Sequence, residues 1–182
     1  MIHKTNRLIL RPWQVEDAED LYAYAKDPEV ALPAGWLPHT SVEESRDIIR
    51  TILYKPTVWA VCRADNVPIG NIHLDPDTPL RENDSTCELG FWLGKPFWGQ
   101  GFVPEAAEAI LRFAFSEYGM QTVLCGYYDG NEQSRRVQEK LGFVRFRTDT
   151  VQTAGSPPHI RAVHRTQMSR DMWENRYGNV KK

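Results

Sequence analysis

The stretch "CELGFWLGKPFWGQGFVPEAAEAILRFAF" constrains the fold of this chain more than any other. It opens with an apolar run of strand length and closes with Ala106, Ala107, Ile110, Leu111 and Ala114 at helical spacing, a series that Tyr118 extends. Only a short glycine-bearing segment, "FWGQGF", joins the two. A helix N-terminus leaves backbone N–H groups without partners and carries a partial positive charge, so it is prepared to receive an anion. Gly99 and Gly101 let the backbone approach that anion with no Cβ in the way. Pro104 fits the first helical turn, where its missing N–H is not needed, and no Ser, Thr, Asp or Asn stands at the cap. The same glycines also suit a plain tight turn.

The common phosphate-binding motifs do not match. A Walker A loop requires Gly-Lys followed by Ser or Thr, whereas Gly94-Lys95 is followed by Pro96. A dinucleotide fingerprint requires a third glycine three residues after Gly101, where Pro104 stands, and a parallel βαβ setting that the hairpin-rich first half does not offer.

Composition narrows the classes further. The 182 residues are 41% hydrophobic, enough for one domain with a substantial core and short for two. With 22 Lys and Arg against 24 Asp and Glu and a net charge of −2, no broad basic surface exists for nucleic acid. The start, "MIHKTNRLILRPW", carries charges where a signal peptide needs an apolar core, and no later run approaches a membrane span. A cytoplasmic protein is expected. Cys62, Cys87 and Cys125 are far apart in apolar runs, as buried reduced thiols would be, and no metal site is expected.

Along the chain, "RLILR" reads as a strand, and Leu21, Tyr22 and Ala25 mark an amphipathic helix ending at Asp27-Pro28. A loop, "LPAGWLPHT", follows, then a helix opened by a Ser41–Glu44 capping box and running to about Leu53. Asp65-Asn66 reads as the turn of a hairpin between "TVWAVCR" and "VPIGNIHL". A polar loop leads to "CELGFWL". After the long helix come a strand, "QTVLCGYY", a short helix, "EQSRRVQEKL", and two closing strands, "FVRFRTDTV" and "RAVHRTQMSR". The expected fold is α/β (α+β): a mixed, mainly antiparallel sheet of about seven strands with helices on both faces, in one domain over residues 1–182.

Two blocks, "ELGFWLGKPFWGQGFVPEAAEAILRFAF" and "NEQSRRVQEKLGF", resemble the coenzyme A core of the GNAT superfamily of N-acetyltransferases. The opening "TNRLILRPWQVEDAEDLYAYAKDPEV" resembles its RimJ and RimL branch, the ribosomal-protein N-terminal acetyltransferases. The likeness runs from about Arg7 to Arg170. One residue departs from it: the superfamily loop usually opens with Gln or Arg where this chain has Pro96.

The resemblance implies that acetyl-CoA rests its pyrophosphate on the backbone of Trp98, Gly99, Gln100, Gly101, Phe102 and Val103. Its pantetheine arm would run in a splay between the "CELGFWL" and "QTVLCGYY" strands, paired with backbone groups of Phe91, Trp92 and Leu93, one N–H polarising the thioester carbonyl. Asn131 matches a position that contacts the arm and equally suits a helix N-cap. Arg136 and Lys140, one turn apart, are placed to meet the adenosine 3′-phosphate or to form a solvated face.

Acetyl transfer to an amine also needs a proton for the departing thiolate. Ser134 lies three residues before Val137 and seven before Leu141, on the inward stripe of its helix, and RimL-like relatives carry a serine in that role. Tyr127 and Tyr128 are alternative donors. Glu88 shares strand parity with Gly90 and Trp92 and is a candidate base, directly or through water; a surface ion pair is the other reading of it. His39 and His73 are rival bases, and Trp36 and His39 lie in a loop that covers the acceptor in the family. Direct transfer to a primary amine is expected, with coenzyme A as product and a protein or peptide α-amino group as acceptor, in a monomer or homodimer. A small-molecule amine and a non-catalytic acyl-CoA-binding module are the alternatives.

Overall fold

The computed structural model describes residues 1–153 and 159–178. They form a mixed eight-stranded sheet with six α-helices. The expectation was about seven strands; the additional one is β1 (His3–Lys4), two residues too short to show an alternation. The chain divides into two compact units, and strands β4 (Pro68–Asp75) and β5 (Thr86–Leu93) and helix α4 (Phe102–Ser116) contribute residues to both.

The first unit takes in Met1–His73 and Phe91–Ala109. Here β1, β2 (Leu8–Arg11), β3 (Val58–Arg63) and β4 pair antiparallel in chain order. The β3–β4 hairpin turns at Asp65-Asn66, as its sequence requires, with Asn66 at φ 67°. Helix α1 (Ala18–Ala25) buries Leu21 and Ala25 against a cluster containing Trp13, Ile49, Val58 and Ala60. Its entry is fixed by a buried bidentate pair, Arg11 NH1 and NH2 donating to Asp17 at 2.7 and 2.8 Å. That hydrogen-bonded pairing, with Asp17 beside it, raises the Arg11 pKa despite burial.

Two local expectations change. The loop read from Leu32 begins only at Gly35, because α2 (Pro28–Ala34) starts directly after α1: Asp27 Oδ1 caps Glu29 N at 2.9 Å and Pro28 takes the first helical position. Asp-Pro thus ends one helix and begins the next. In α3 (Val42–Ile48), Ser41 Oγ accepts from Glu44 N at 3.0 Å, but Glu44 reaches back one residue further than a capping box, to Thr40 N and Oγ1. A π-helical stretch, Ile49–Leu53, completes the expected helix.

The second unit takes in Leu74–Gly90, Ile110–Gln152 and the chain from Ile160 on. Strand β5 runs parallel to β6 (Thr122–Tyr128), which pairs antiparallel with β8 (His159–Ser169); β7 (Val144–Thr153) lies beyond β8. The registered β5–β6 pairs are Thr86↔Thr122, Cys87↔Val123 and Glu88↔Leu124. From Leu89 and Cys125 onward that ladder ends. Helix α5 (Glu132–Leu141) starts at Asn131 and stops at Gly142, whose φ of 98° suits glycine. Helix α6 (Arg170–Tyr177), absent from the sequence reading, is capped by Ser169 Oγ on Met172 N and buries Trp173 alone among its residues. Tyr118 lies beyond α4 and stacks on Phe113, while Phe115 fills the core.

Candidate active site

In the first unit, the segment between β5 and α4 is held from within and by the N-terminal strand region. Trp98 Nε1 donates to Leu93 O at 2.7 Å, and Gln100 Nε2 closes the turn on Pro96 O at 2.9 Å. Pro96 therefore sits inside a short 3₁₀ turn, Lys95–Phe97, and its carbonyl is a fixed point of the loop. Gly99 and Gly101 have φ of 75° and 79°, a region costly to residues with a Cβ. A Cβ at Gly99 would meet nothing within 4 Å, and one at Gly101 only Arg7 NH2 at 3.6 Å. The backbone here borders open space at a helix N-terminus whose preceding residue, Gly101, has no side chain to cap it. These residues fit a diphosphate.

Arg7 was not singled out by the sequence. Its NH1 donates to Gln100 O at 3.0 Å, its Nε to Glu105 Oε2 at 2.7 Å, and its guanidinium lies 4.4 Å from the Phe102 ring centroid. Glu105 also accepts from Thr5 Oγ1 at 2.6 Å and Arg7 N at 2.9 Å. Burial opposes ionisation of Glu105, but these hydrogen bonds together hold its pKa below the usual value.

The end of β5 presents its backbone in alternating directions. A Cβ on Gly70 would lie 2.4 Å from Trp92 O, and Gly94 N donates to Ile69 O at 2.8 Å, so Trp92 and Gly94 face β4. The Trp92 carbonyl thus lies toward β4. Phe91 and Leu93 face the other way, and the Leu93 carbonyl already holds the Trp98 indole. The Trp92 ring instead joins an aromatic cluster, 5.9 Å from Trp36 and 6.5 Å from Trp13, with His39 5.3 Å from Trp36. His39 is buried, its Nδ1 2.8 Å from Ser45 Oγ, and burial pushes its pKa down. His73 Nδ1 lies 3.3 Å from Asn71 Nδ2, while Asn71 Oδ1 accepts from Trp13 Nε1 at 2.8 Å.

In the second unit, Asn131 Oδ1 caps α5 by accepting from Ser134 N at 3.1 Å. Ser134 is half-buried, and its Oγ accepts from Gln138 Nε2 at 3.0 Å. Glu88 is an engaged carboxylate: Thr78 Oγ1 donates to Oε2 at 2.6 Å and Arg165 NH1 to Oε1 at 3.3 Å. Arg165 also pairs with Asp149. On α5, Glu132 and Glu139 are both bound by Arg135, so Arg136 and Lys140 form no ion pair among the described residues. Tyr127 packs at 5.0 Å from His164, and Tyr128 lies under Arg161 at 4.6 Å. The three cysteines are buried and free; burial pushes Cys62 and Cys87 up to about 12 and Cys125 higher still, which removes them as acyl carriers.

Gln138 was also missed. Its signal was a polar residue one turn after Ser134 on the inward stripe. Among the described residues, no group of His, Cys, Asp and Glu is gathered for a metal, and no helix is long and apolar enough to cross a membrane.

Residues 7–144 match the family model described as the acetyltransferase (GNAT) domain. An uncharacterized N-acetyltransferase of Bacillus subtilis, YoaA, is 29% identical over 148 residues, covering 78% of this chain and 82% of its own. An acetyltransferase structure from Bacillus anthracis superposes with a TM-score of 0.82 at 21% identity, covering 94% of this chain and 99% of its own. The same fold occurs in a ribosomal-protein-S5-alanine acetyltransferase from Vibrio fischeri, at 17% identity and a TM-score of 0.73 over 95% of this chain and 98% of that one. It occurs too in a spermidine N-acetyltransferase chimera from Vibrio cholerae and hSSAT, at 16% identity and a TM-score of 0.73 over 92% of this chain and 98% of that one.

Proposed function

The chain belongs to the GNAT family of acetyl-CoA-dependent N-acetyltransferases, and from that premise we propose that it acetylates the α-amino group of a peptide or protein by direct transfer. The observation that carries the choice of acceptor is the state of Glu88, whose two oxygens are already taken by Thr78 and Arg165. A base so engaged suits an amine that needs little deprotonation. An α-amine has a reference pKa near ~7.8, so about one in seven is neutral at pH 7; a lysine side chain, near ~10.4, needs roughly 3.5 kcal/mol more. The S5-alanine acetyltransferase that shares the fold acts on a ribosomal protein and agrees with this reading; the spermidine enzyme keeps a small amine as the rival.

The residues take these roles. The backbone from Trp98 to Val103 holds the pyrophosphate at the start of α4, its donors the N–H groups after Trp98, whose own N–H bonds Lys95 O, with Arg7 and Glu105 fixing the loop. Phe91 and Leu93 present backbone to the pantetheine arm, Asn131 contacts that arm, and Arg136 and Lys140 meet the 3′-phosphate. Trp36, His39 and His73 border the acceptor. Glu88 receives the amine proton through a water, and Ser134 gives its proton to the sulfur as the C–N bond forms and the C–S bond breaks.

Thiol release from acetyl-CoA tests the reading. Short peptides with free N-termini should drive release faster than polyamines or aminoglycosides. The reverse order moves the function to a small-molecule acetyltransferase, and release that no amine stimulates contradicts catalysis altogether.

A further inference from the structure

Gln138 occupies a position on α5 that packing would give to an apolar residue. It is 1% exposed, as buried as Leu141 on the same stripe at 2%. A carboxamide buried without partners is strongly unfavourable, and here each polar atom has one. Nε2 donates to Gly126 O at 2.9 Å and to Ser134 Oγ at 3.0 Å, and Oε1 accepts from Thr166 Oγ1 at 2.7 Å. One member of this set cannot be reversed, because the Gly126 carbonyl only accepts. The amino end of the amide must therefore face Gly126. Its second hydrogen falls to Ser134, and Thr166 is left to donate to the oxygen. Among the described residues the Ser134 hydroxyl donates to no protein acceptor.

We infer that Gln138 is a positioning residue: it makes Ser134 Oγ an acceptor and so turns the Ser134 proton outward, toward the departing sulfur. This rests on the reading of Ser134 as the acid. When the C–S bond breaks, sulfur leaves with the bonding pair and takes the Ser134 proton. The serine oxygen keeps the Nε2–H hydrogen bond, which stabilises its transient negative charge, and regains a proton from solvent. Thr166 acts one step further out by fixing the amide from its other end.

A double-mutant cycle in single-turnover acetyl transfer tests the inference, with acetyl-CoA affinity measured by calorimetry. Ser134→Ala should slow transfer about 100-fold. Gln138→Leu should slow it about 10-fold, a partial loss of general-acid catalysis, at unchanged affinity. The pair should be no slower than Ser134→Ala alone. Thr166→Val should lower the rate and Thr166→Ser restore it. In Gln138→Glu the introduced carboxylate accepts a hydrogen bond from Ser134 and turns its proton inward, and the rate relative to the parent at the same pH should recover as falling pH protonates the carboxylate. If Ser134→Ala is slow and Gln138→Leu is not, the inference fails and the acid assignment stands. If the two effects multiply in the pair, or the Gln138→Glu profile matches the parent, Gln138 is only structural. If Ser134→Ala is as fast as the parent, the reading of Ser134 fails first. Should Gln138→Leu not fold, the Thr166 pair and Gln138→Glu decide.

Discussion

Replacing Gly101 by alanine separates the cost of the loop's shape from the cost of blocking its ligand. At φ 79° an L-residue pays about 1–2 kcal/mol for the left-handed conformation. No clash is added, since the new Cβ would meet only Arg7 NH2 at 3.6 Å, an ordinary contact. At about 2–4 °C per kcal/mol for a chain of this size, Tm should fall by roughly 2–8 °C with the fold intact. The methyl group enters the space assigned to the pyrophosphate and displaces at least one charge-assisted hydrogen bond, worth about 1.5–3 kcal/mol. Coenzyme A affinity should therefore fall about 10- to 100-fold. Calorimetry measures that loss, and acetyl transfer from S-acetylpantetheine, which lacks the diphosphate, serves as the control. That transfer should be nearly unaffected. Unchanged coenzyme A affinity alongside the expected fall in Tm refutes the cradle, and equal losses with both donors show a general disruption instead.

Two further outcomes test the parts around the cradle. Arg7→Ala removes the hydrogen bonds to Gln100 and Glu105 and the contact with Phe102, and it should raise KM for acetyl-CoA about 10-fold with kcat little changed; an unchanged KM removes Arg7 from the loop's support. Burial lowers the His39 pKa below its ordinary 6.5, so the unfolded chain takes up this proton more readily and stability declines as pH falls from above 6.5 toward the folded value. Urea unfolding at pH 7.5 and 5.5 should show a smaller acid loss in His39→Asn than in the parent, and equal losses would contradict the burial argument.

What the sequence disclosed and what it hid follow from the range of the interactions. The β5–loop–α4 passage was legible because its signals are local: two glycines that accept positive φ, Pro104 in the first turn, and alanines and leucines at helical spacing. The hairpin at Asp65-Asn66 was legible for the same reason. Helix α2 was hidden because Asp27-Pro28 is both a stop and a start, and α6 because its only buried residue is Trp173, which leaves no apolar stripe. The supports of the site could not be read at all. Arg7 reaches Glu105 across 98 positions and Gln138 reaches Thr166 across 28, and no local pattern links such pairs. The direction of the Trp92 backbone likewise depends on which neighbour β5 chooses, with Gly70 admitting its carbonyl.

The acceptor is the claim on which the account turns, and locating the acetyl group on a peptide that carries both a free N-terminus and an internal lysine tests it most directly. After incubation with the protein and acetyl-CoA, fragment mass spectrometry should place the label on the α-amine in clear excess over the lysine, in step with the smaller deprotonation demand. Exclusive labelling of the lysine, or an unlabelled peptide beside a rapidly acetylated polyamine, would contradict it.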